Sequence, residues 1–210
     1  SLVARDAVVG VSGTGTVTST IYSTNFDSST STTGWTFGGT QVVWAPDDTP
    51  SSFPGGSYKS APNSLNYNDG TDYDNGAANT GSATSPSITL TGYTSPTLKF
   101  QCNFQTEDAA GYDIRRVVIK ADGVVTPVLD AQLLSANASA LIGNCSASGT
   151  WHEHTITLDP AWGTITIEFF FDTVDSWTND KAGWAVDDLV VTDTPASSGG
   201  GMGGGAVGGN

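Results

Sequence analysis

The densest run of oxygen-bearing side chains is Asn66-Tyr67-Asn68-Asp69-Gly70-Thr71-Asp72-Tyr73-Asp74-Asn75-Gly76. A Ca2+ ion takes about six to eight carboxylate and carbonyl oxygens at ~2.3–2.6 Å and accepts irregular geometry. Gly70 and Gly76 allow such a loop to turn sharply, so Asp69, Asp72 and Asp74 are candidate ligands. No glutamate closes the loop as it does in an EF-hand, and a solvated series of Asx turns has the same composition.

A second acidic stretch runs from Phe171 to Leu189. A strand runs out at Phe171, Asp172, Asp175 and Asp180 fall in the turn, and the returning strand carries Asp187-Asp188. Neighbouring residues of a strand point to opposite faces. If that strand is central, at least one of the two acids must meet a cation or a set of backbone N–H groups. A third constellation, Asn25-Phe26-Asp27 followed by Gly34-Trp35, marks the first core strand.

The same alternation argues against catalysis. A glycosidase needs two carboxyls roughly 5–9 Å apart across a bound sugar, and neither Asp47-Asp48 nor Asp187-Asp188 forms such a pair within itself. The chain also lacks Gly-x-Ser-x-Gly, a phosphate loop and a dinucleotide fingerprint. It reads as a non-enzyme.

The histidines are confined to Trp151-His152-Glu153-His154. They stand two apart on one strand face, not four apart on a helix as in the zinc proteases. Two imidazoles at that spacing could share Zn2+, but further ligands are not evident. They are therefore read as exposed or edge-strand residues. Cys102 and Cys145 allow one disulfide or two buried thiols, and a composition poor in Lys and rich in Thr, Ser and Gly favours the disulfide. Among the tryptophans, Trp35 and Trp184 fit a core. Trp44, Trp162 and Trp177 lie in loop-like surroundings and are candidate platforms for sugar rings, unless they cap the ends of the fold.

The elements that must hold these groups are strands. Ile88–Leu90, Leu98–Phe104, Thr155–Leu158 and Thr164–Phe169 alternate apolar and polar, while Tyr112–Lys120 and Trp184–Val191 are rich in β-branched residues. Strands are also expected at Ala7–Val11 and Thr14–Tyr22, and a short helix is the alternative at Asp130–Ile142. Eight or more strands with so little helix imply an all-β jelly-roll β-sandwich of two antiparallel sheets. The expected division is a lead-in segment or edge strand over residues 1–20, the sandwich over 21–194, and a Gly/Ser-rich flexible tail over 195–210. The absence of a signal peptide before Ser1 reads as a mature chain or an excised fragment.

Charge narrows the partners. The net charge is −14, from 21 acidic against 7 basic residues, and only Glu107, Glu153 and Glu168 among the acids are not aspartate. Seven scattered cations cannot assemble the basic patch that nucleic acid or an anionic membrane needs. No apolar run approaches the ~20 residues of a membrane span.

Several landmarks, taken in order, resemble MAM-like jelly rolls. They are Asn25-Phe26-Asp27 with Gly34-Trp35, then Ser57–Leu65, Ala83–Leu90 and Leu98-Lys99-Phe100. Thr106-Glu107-Asp108 with Gly111-Tyr112-Asp113 and the closing Gly183–Val191 complete the series. The resemblance covers about residues 22–193. Such domains are appended to secreted bacterial proteins, and their architecture is similar to that of jelly-roll carbohydrate-binding modules. In that family an acid of the first strand and one of the last commonly help to hold a structural Ca2+. By position these are Asp27 and Asp187, with Asp188 as competitor. The first-strand acid is often Glu in relatives and is Asp here, one methylene shorter.

The resemblance implies a non-catalytic module for adhesion or ligand binding, secreted or attached to a cell surface and stabilised by calcium. Its partner would be a cell-surface protein or a glycan. A carbohydrate-binding module, or a structural subunit of a surface layer or fibre, is the alternative.

Overall fold

The fold is described from a computed structural model, which describes residues 17–40, 44–135, 145 and 147–196. The expected strand at 7–11 and the tail from 197 onward lie outside the described residues. Twelve strands are present among them: β1 (Ser19–Thr24), β2 (Thr36–Gly39), β3 (Trp44–Asp47), β4 (Ser64–Tyr67), β5 (Thr80–Thr84), β6 (Ile88–Thr89), β7 (Pro96–Gln105), β8 (Ile114–Ala121), β9 (Leu129–Gln132), β10 (His152–Thr157), β11 (Thr164–Asp172) and β12 (Gly183–Asp193). The only helical turns described are 3-10 turns at Ser29–Thr32 and Pro160–Trp162. No described helix is long and apolar enough to cross a membrane.

The strands form two six-stranded antiparallel sheets, a jelly-roll β-sandwich. One sheet runs β10-β7-β12-β4-β3 with β1 also on β12, and the other runs β2-β5-β11-β8-β9 with β6 also on β11. Each sheet is organised by one long strand. Strand β12 has β7 along one edge, and its other edge is divided between β4, at Trp184–Val186, and β1, from Leu189 onward. The change of partner falls at Asp187-Asp188, where the register with β7 also shifts, and Asp188 has φ of 46°. A bulge that redirects a strand at such a place re-aims its side chains.

The inner faces meet around Phe169 of β11. Its ring lies 5.2 Å from Phe100, 5.7 Å from Trp184, 6.3 Å from Trp44 and 6.4 Å from Trp35. These aromatics join both sheets in one core and include the side chains with the largest apolar area to remove from water.

The strands with clean alternation are where the sequence predicts them. Others are not legible that way. Strand β4 is buried at all four positions, so Ser64 and Asn66 sit inside and no polar face marks the segment. Asn66 is accommodated because its amide donates to Asp47 Oδ1 at 2.7 Å. Strand β3 contains Pro46 and survives at a sheet edge, where a missing N–H costs least. The helix considered at Asp130–Ile142 is corrected where it is described: Leu129–Gln132 pairs with β8.

Candidate functional site

The change of partner along β12 creates an acidic junction. The loop before β4 folds over it, and the Lys59 and Ser60 N–H groups donate to Asp187 Oδ2 at 2.8 and 2.9 Å. Oδ1 accepts the Asp188 N–H at 2.7 Å. The Ser60 hydroxyl donates to Asp188 Oδ1 at 2.7 Å. From the end of β1, the Asp27 carbonyl accepts the Asn63 amide at 2.9 Å. The Asp187 and Asp188 carboxylates and the backbone carbonyl of Asp27 therefore fasten the same loop, residues 59–63.

The electrostatics of this junction are unbalanced. Asp187 is 0 % exposed, and burial pushes its carboxyl up to about 6 against the pull of the three N–H donors. Among the described residues no Lys or Arg forms an ion pair with Asp27, Asp187 or Asp188. Asp27 Oδ2 accepts from the Asn25 amide, while Oδ1 is buried without a partner. A groove of about 690 Å³ opens alongside, lined by Tyr22, Asn25, Thr30, Ser31 and Thr33 together with Asp188.

In the second acidic loop the carboxylates turn back on their own backbone. Asp69 accepts from the N–H of Thr71, Asp72 from that of Asp74, and Asp74 from that of Gly76, at 2.8–3.0 Å. They form a run of Asx turns. Neither Asp69, Asp72 and Asp74 nor the three acids of the junction are drawn into a tight group of metal donors among the described residues.

The three candidate sugar platforms separate. Trp44 is 2 % exposed and packs edge-on against Trp184 with ring centroids 5.0 Å apart, so it is a core residue and not a platform. Its loop-like sequence surroundings hid the short strand β3. Trp162 is half-buried against the core in the turn capped by Asp159. Trp177 is 76 % exposed. Its loop is fastened locally: Asp175 Oδ1 accepts the Trp177 N–H at 2.8 Å, and the Asp175 carbonyl accepts from Thr173 and Asn179. An exposed indole on a pinned loop loses little further freedom on binding.

Below the same end, Tyr73 donates its hydroxyl to Asp113, which also accepts the Glu107 N–H at 2.7 Å. Asp113 is buried, has φ of 47° and leaves Oδ1 without a partner. Burial pushes its carboxyl up to about 6.

The cysteines and histidines meet, which sequence spacing did not reveal. The expected disulfide is absent from the structure: Cys102 and Cys145 are buried and unbonded. The sulfurs and the two imidazoles instead lie within 4.8 Å of one another. His152 faces Cys102 across the β10–β7 pair, and His154, two residues on, shares that face. The histidines are indeed on an edge strand, but His154 is only 1 % exposed. Finding the group from sequence required knowing the register that places position 102 opposite 152.

No protein-family model matches the chain, and no curated protein does. Solved structures do match it. The CBM22-1 xylan-binding domain of Paenibacillus barcinonensis Xyn10C superposes with a TM-score of 0.50 at 14 % identity, over 87 % of this chain and 99 % of that domain. Two cleaved adhesin domains of Lys-gingipain from Porphyromonas gingivalis W83 are similar. The K1 domain gives a TM-score of 0.48 at 16 % identity over 85 % of this chain and 99 % of its own. The K3 domain gives 0.46 at 18 % over 84 % and 99 %. The likeness to the xylan-binding domain supports the β-sandwich fold, and none of the comparisons shows the narrower MAM-like assignment.

Proposed function

We propose that the chain is a non-catalytic binding module of a secreted or surface-attached protein, and that it holds a glycan against Trp177. The observation that carries this reading is the indole itself, exposed to 76 % on a loop pinned by Asp175 and Asn179. Its flat apolar face suits the C–H face of a pyranose ring, and its N–H supplies a polar edge. Polar side chains on the same loop that reach solvent, Asp180 and Lys181, provide hydrogen-bonding groups for sugar hydroxyls. The fold leaves such loops free to vary while the sandwich keeps them in place.

The module would be stabilised by Ca2+ at the acidic junction. The fit rests on the partnerless Asp27 Oδ1, on the buried Asp187 carboxyl held up near 6, and on the lack of an ion pair there. Asp27 and Asp187 would hold the ion, with Asp188 at the rim, and the ion would supply the positive charge that the surrounding N–H groups only approximate. A site formed only in the folded chain stabilises the fold by linkage.

Binding to insoluble and arrayed polysaccharides tests the reading. Retention that is lost in Trp177→Ala, with the fold intact, is the expected result. Retention unchanged in Trp177→Ala but blocked by Thr30→Trp would move the binding face to the groove beside Asp188 and overturn the Trp177 assignment.

A further inference from the structure

We infer that Cys102, Cys145, His152 and His154 form a closed, tetrahedral Zn2+ site, separate from the acidic junction and from the Trp177 loop.

The argument starts from direction. Along a strand, residues two apart share a face, so β10 presents both imidazoles on one side. Register places Cys102 of β7 directly opposite His152. Cys145 arrives from outside the sheets, its N–H donating to the Leu134 carbonyl at 3.1 Å, and brings its sulfur to 3.3 Å from His152 Nε2. The two Nε2 atoms are 2.9 Å apart. All four donor atoms lie within 4.8 Å of one another. A tetrahedral zinc with bonds of about 2.0–2.3 Å separates its donors by roughly 3.3–3.8 Å, so small adjustments of these side chains suffice.

The outer partners point the same way. His152 Nδ1 lies 3.2 Å from the Thr150 carbonyl, which can only accept, so the ring proton is on Nδ1 and Nε2 offers a lone pair to the cluster. A carbonyl holding the far nitrogen of an imidazole is the usual support of a metal-bound histidine. The Trp184 indole N–H donates to Cys102 Sγ at 3.2 Å, as donors do to metal-bound thiolates. The Phe100 ring, 5.0 Å from that of His154, walls the site on the core side.

Charge and chemistry select the ion. Two thiolates and two neutral imidazoles balance a divalent cation, so the filled site is neutral and buries no net charge. Sulfur with imidazole nitrogen, four donors and a tetrahedral arrangement select zinc over the hard cations that suit the acidic junction. Four protein ligands leave no open position for water or substrate, so the site is structural. It would fasten Cys145 to β7 and β10. The partly exposed His152 provides the way in for the ion.

The test is metal loading of the folded, reduced chain. Elemental analysis after exposure to Zn2+ and removal of excess ion should give one zinc per chain. The thermal midpoint should rise with Zn2+ and not with Ca2+. Cobalt in place of zinc should show the near-ultraviolet thiolate charge-transfer band and the strong visible bands of a tetrahedral S2N2 centre. Cys145→Ser should weaken binding by about 100-fold or more, since loss of an outer partner alone costs about 10–100-fold. His152→Ala, at the less buried position, should do the same while the chain stays folded. A folded, reduced chain that takes up no zinc overturns the inference. So does cobalt uptake without thiolate bands, or a stable Cys102–Cys145 disulfide that re-forms in the presence of Zn2+. None of these outcomes bears on glycan binding at Trp177.

Discussion

Asp187 and Ser60 are 127 positions apart in the chain, yet the Ser60 N–H donates to the Asp187 carboxylate across 2.9 Å. With Lys59 as second donor, this contact fixes the loop before β4 against the last strand. It lies where β12 exchanges β4 for β1, so one buried acid joins the loop before β4 to the closing strand of the sheet.

Calcium should therefore be felt in stability. At a hundredfold excess over its dissociation constant, an ion bound only by the native state contributes about 3 kcal/mol. That is roughly 5–10 °C in midpoint for a domain of this size. Melts in Ca2+ and in chelator should differ by this order. Asp27→Asn should lose the calcium increment while keeping a midpoint near that of the wild type in chelator. Asp187→Ala should also fall in chelator, by about 2–4 kcal/mol, because the Lys59 and Ser60 N–H groups lose their acceptor. Equal midpoints in Ca2+ and chelator for the wild type would remove calcium from the account.

Asp113 should make stability depend on pH in the direction opposite to that of a salt-bridged acid. Its carboxyl is pushed up to about 6 by burial, above the ordinary aspartate value. Between roughly pH 4 and 6 the native state then binds the proton more tightly than the unfolded chain, so stability falls as pH rises through that window and levels off above it. The contribution is at most about 3 kcal/mol. Denaturant titrations in chelator across this range should show the decline, and Asp113→Asn should flatten part of it. A wild type whose stability rises from pH 4 to 6, with no flattening in the variant, would contradict the assignment.

Phe169 should be the costliest single truncation in the core. Its ring packs among four aromatic neighbours, of which Phe100, Trp184 and Trp44 come from the facing sheet. Phe169→Ala should lose about 3–5 kcal/mol in chemical denaturation. A loss under about 1 kcal/mol would mean that the sheets do not meet through this ring.

The sandwich was legible wherever one strand face is wet, because alternation survives in Leu98–Phe104 and Thr164–Phe169. It was not legible in β4, where Asn66 is buried with its amide N–H groups held by Asp47. Periodicity reports exposure, and a strand covered on both faces has none to report. The same limit explains Trp44, read as a loop residue because Pro46 follows it. The pairing of Asp27 with Asp187 as calcium ligands came from the resemblance of the first and last strands to known domains, not from spacing. The cysteine–histidine group needed the β7–β10 register, which no local pattern encodes.

Calorimetric titration of the calcium-loaded chain with soluble polysaccharide fragments measures glycan binding at Trp177 without an immobilised surface. Saturable binding to at least one glycan class is expected, weakened about tenfold or more in Trp177→Ala, the scale expected for losing an aromatic contact buried on binding. The melting midpoint of the variant should match that of the wild type, since Trp177 is exposed. Wild-type affinity retained by Trp177→Ala, or a folded wild type that binds no glycan, would contradict binding at Trp177.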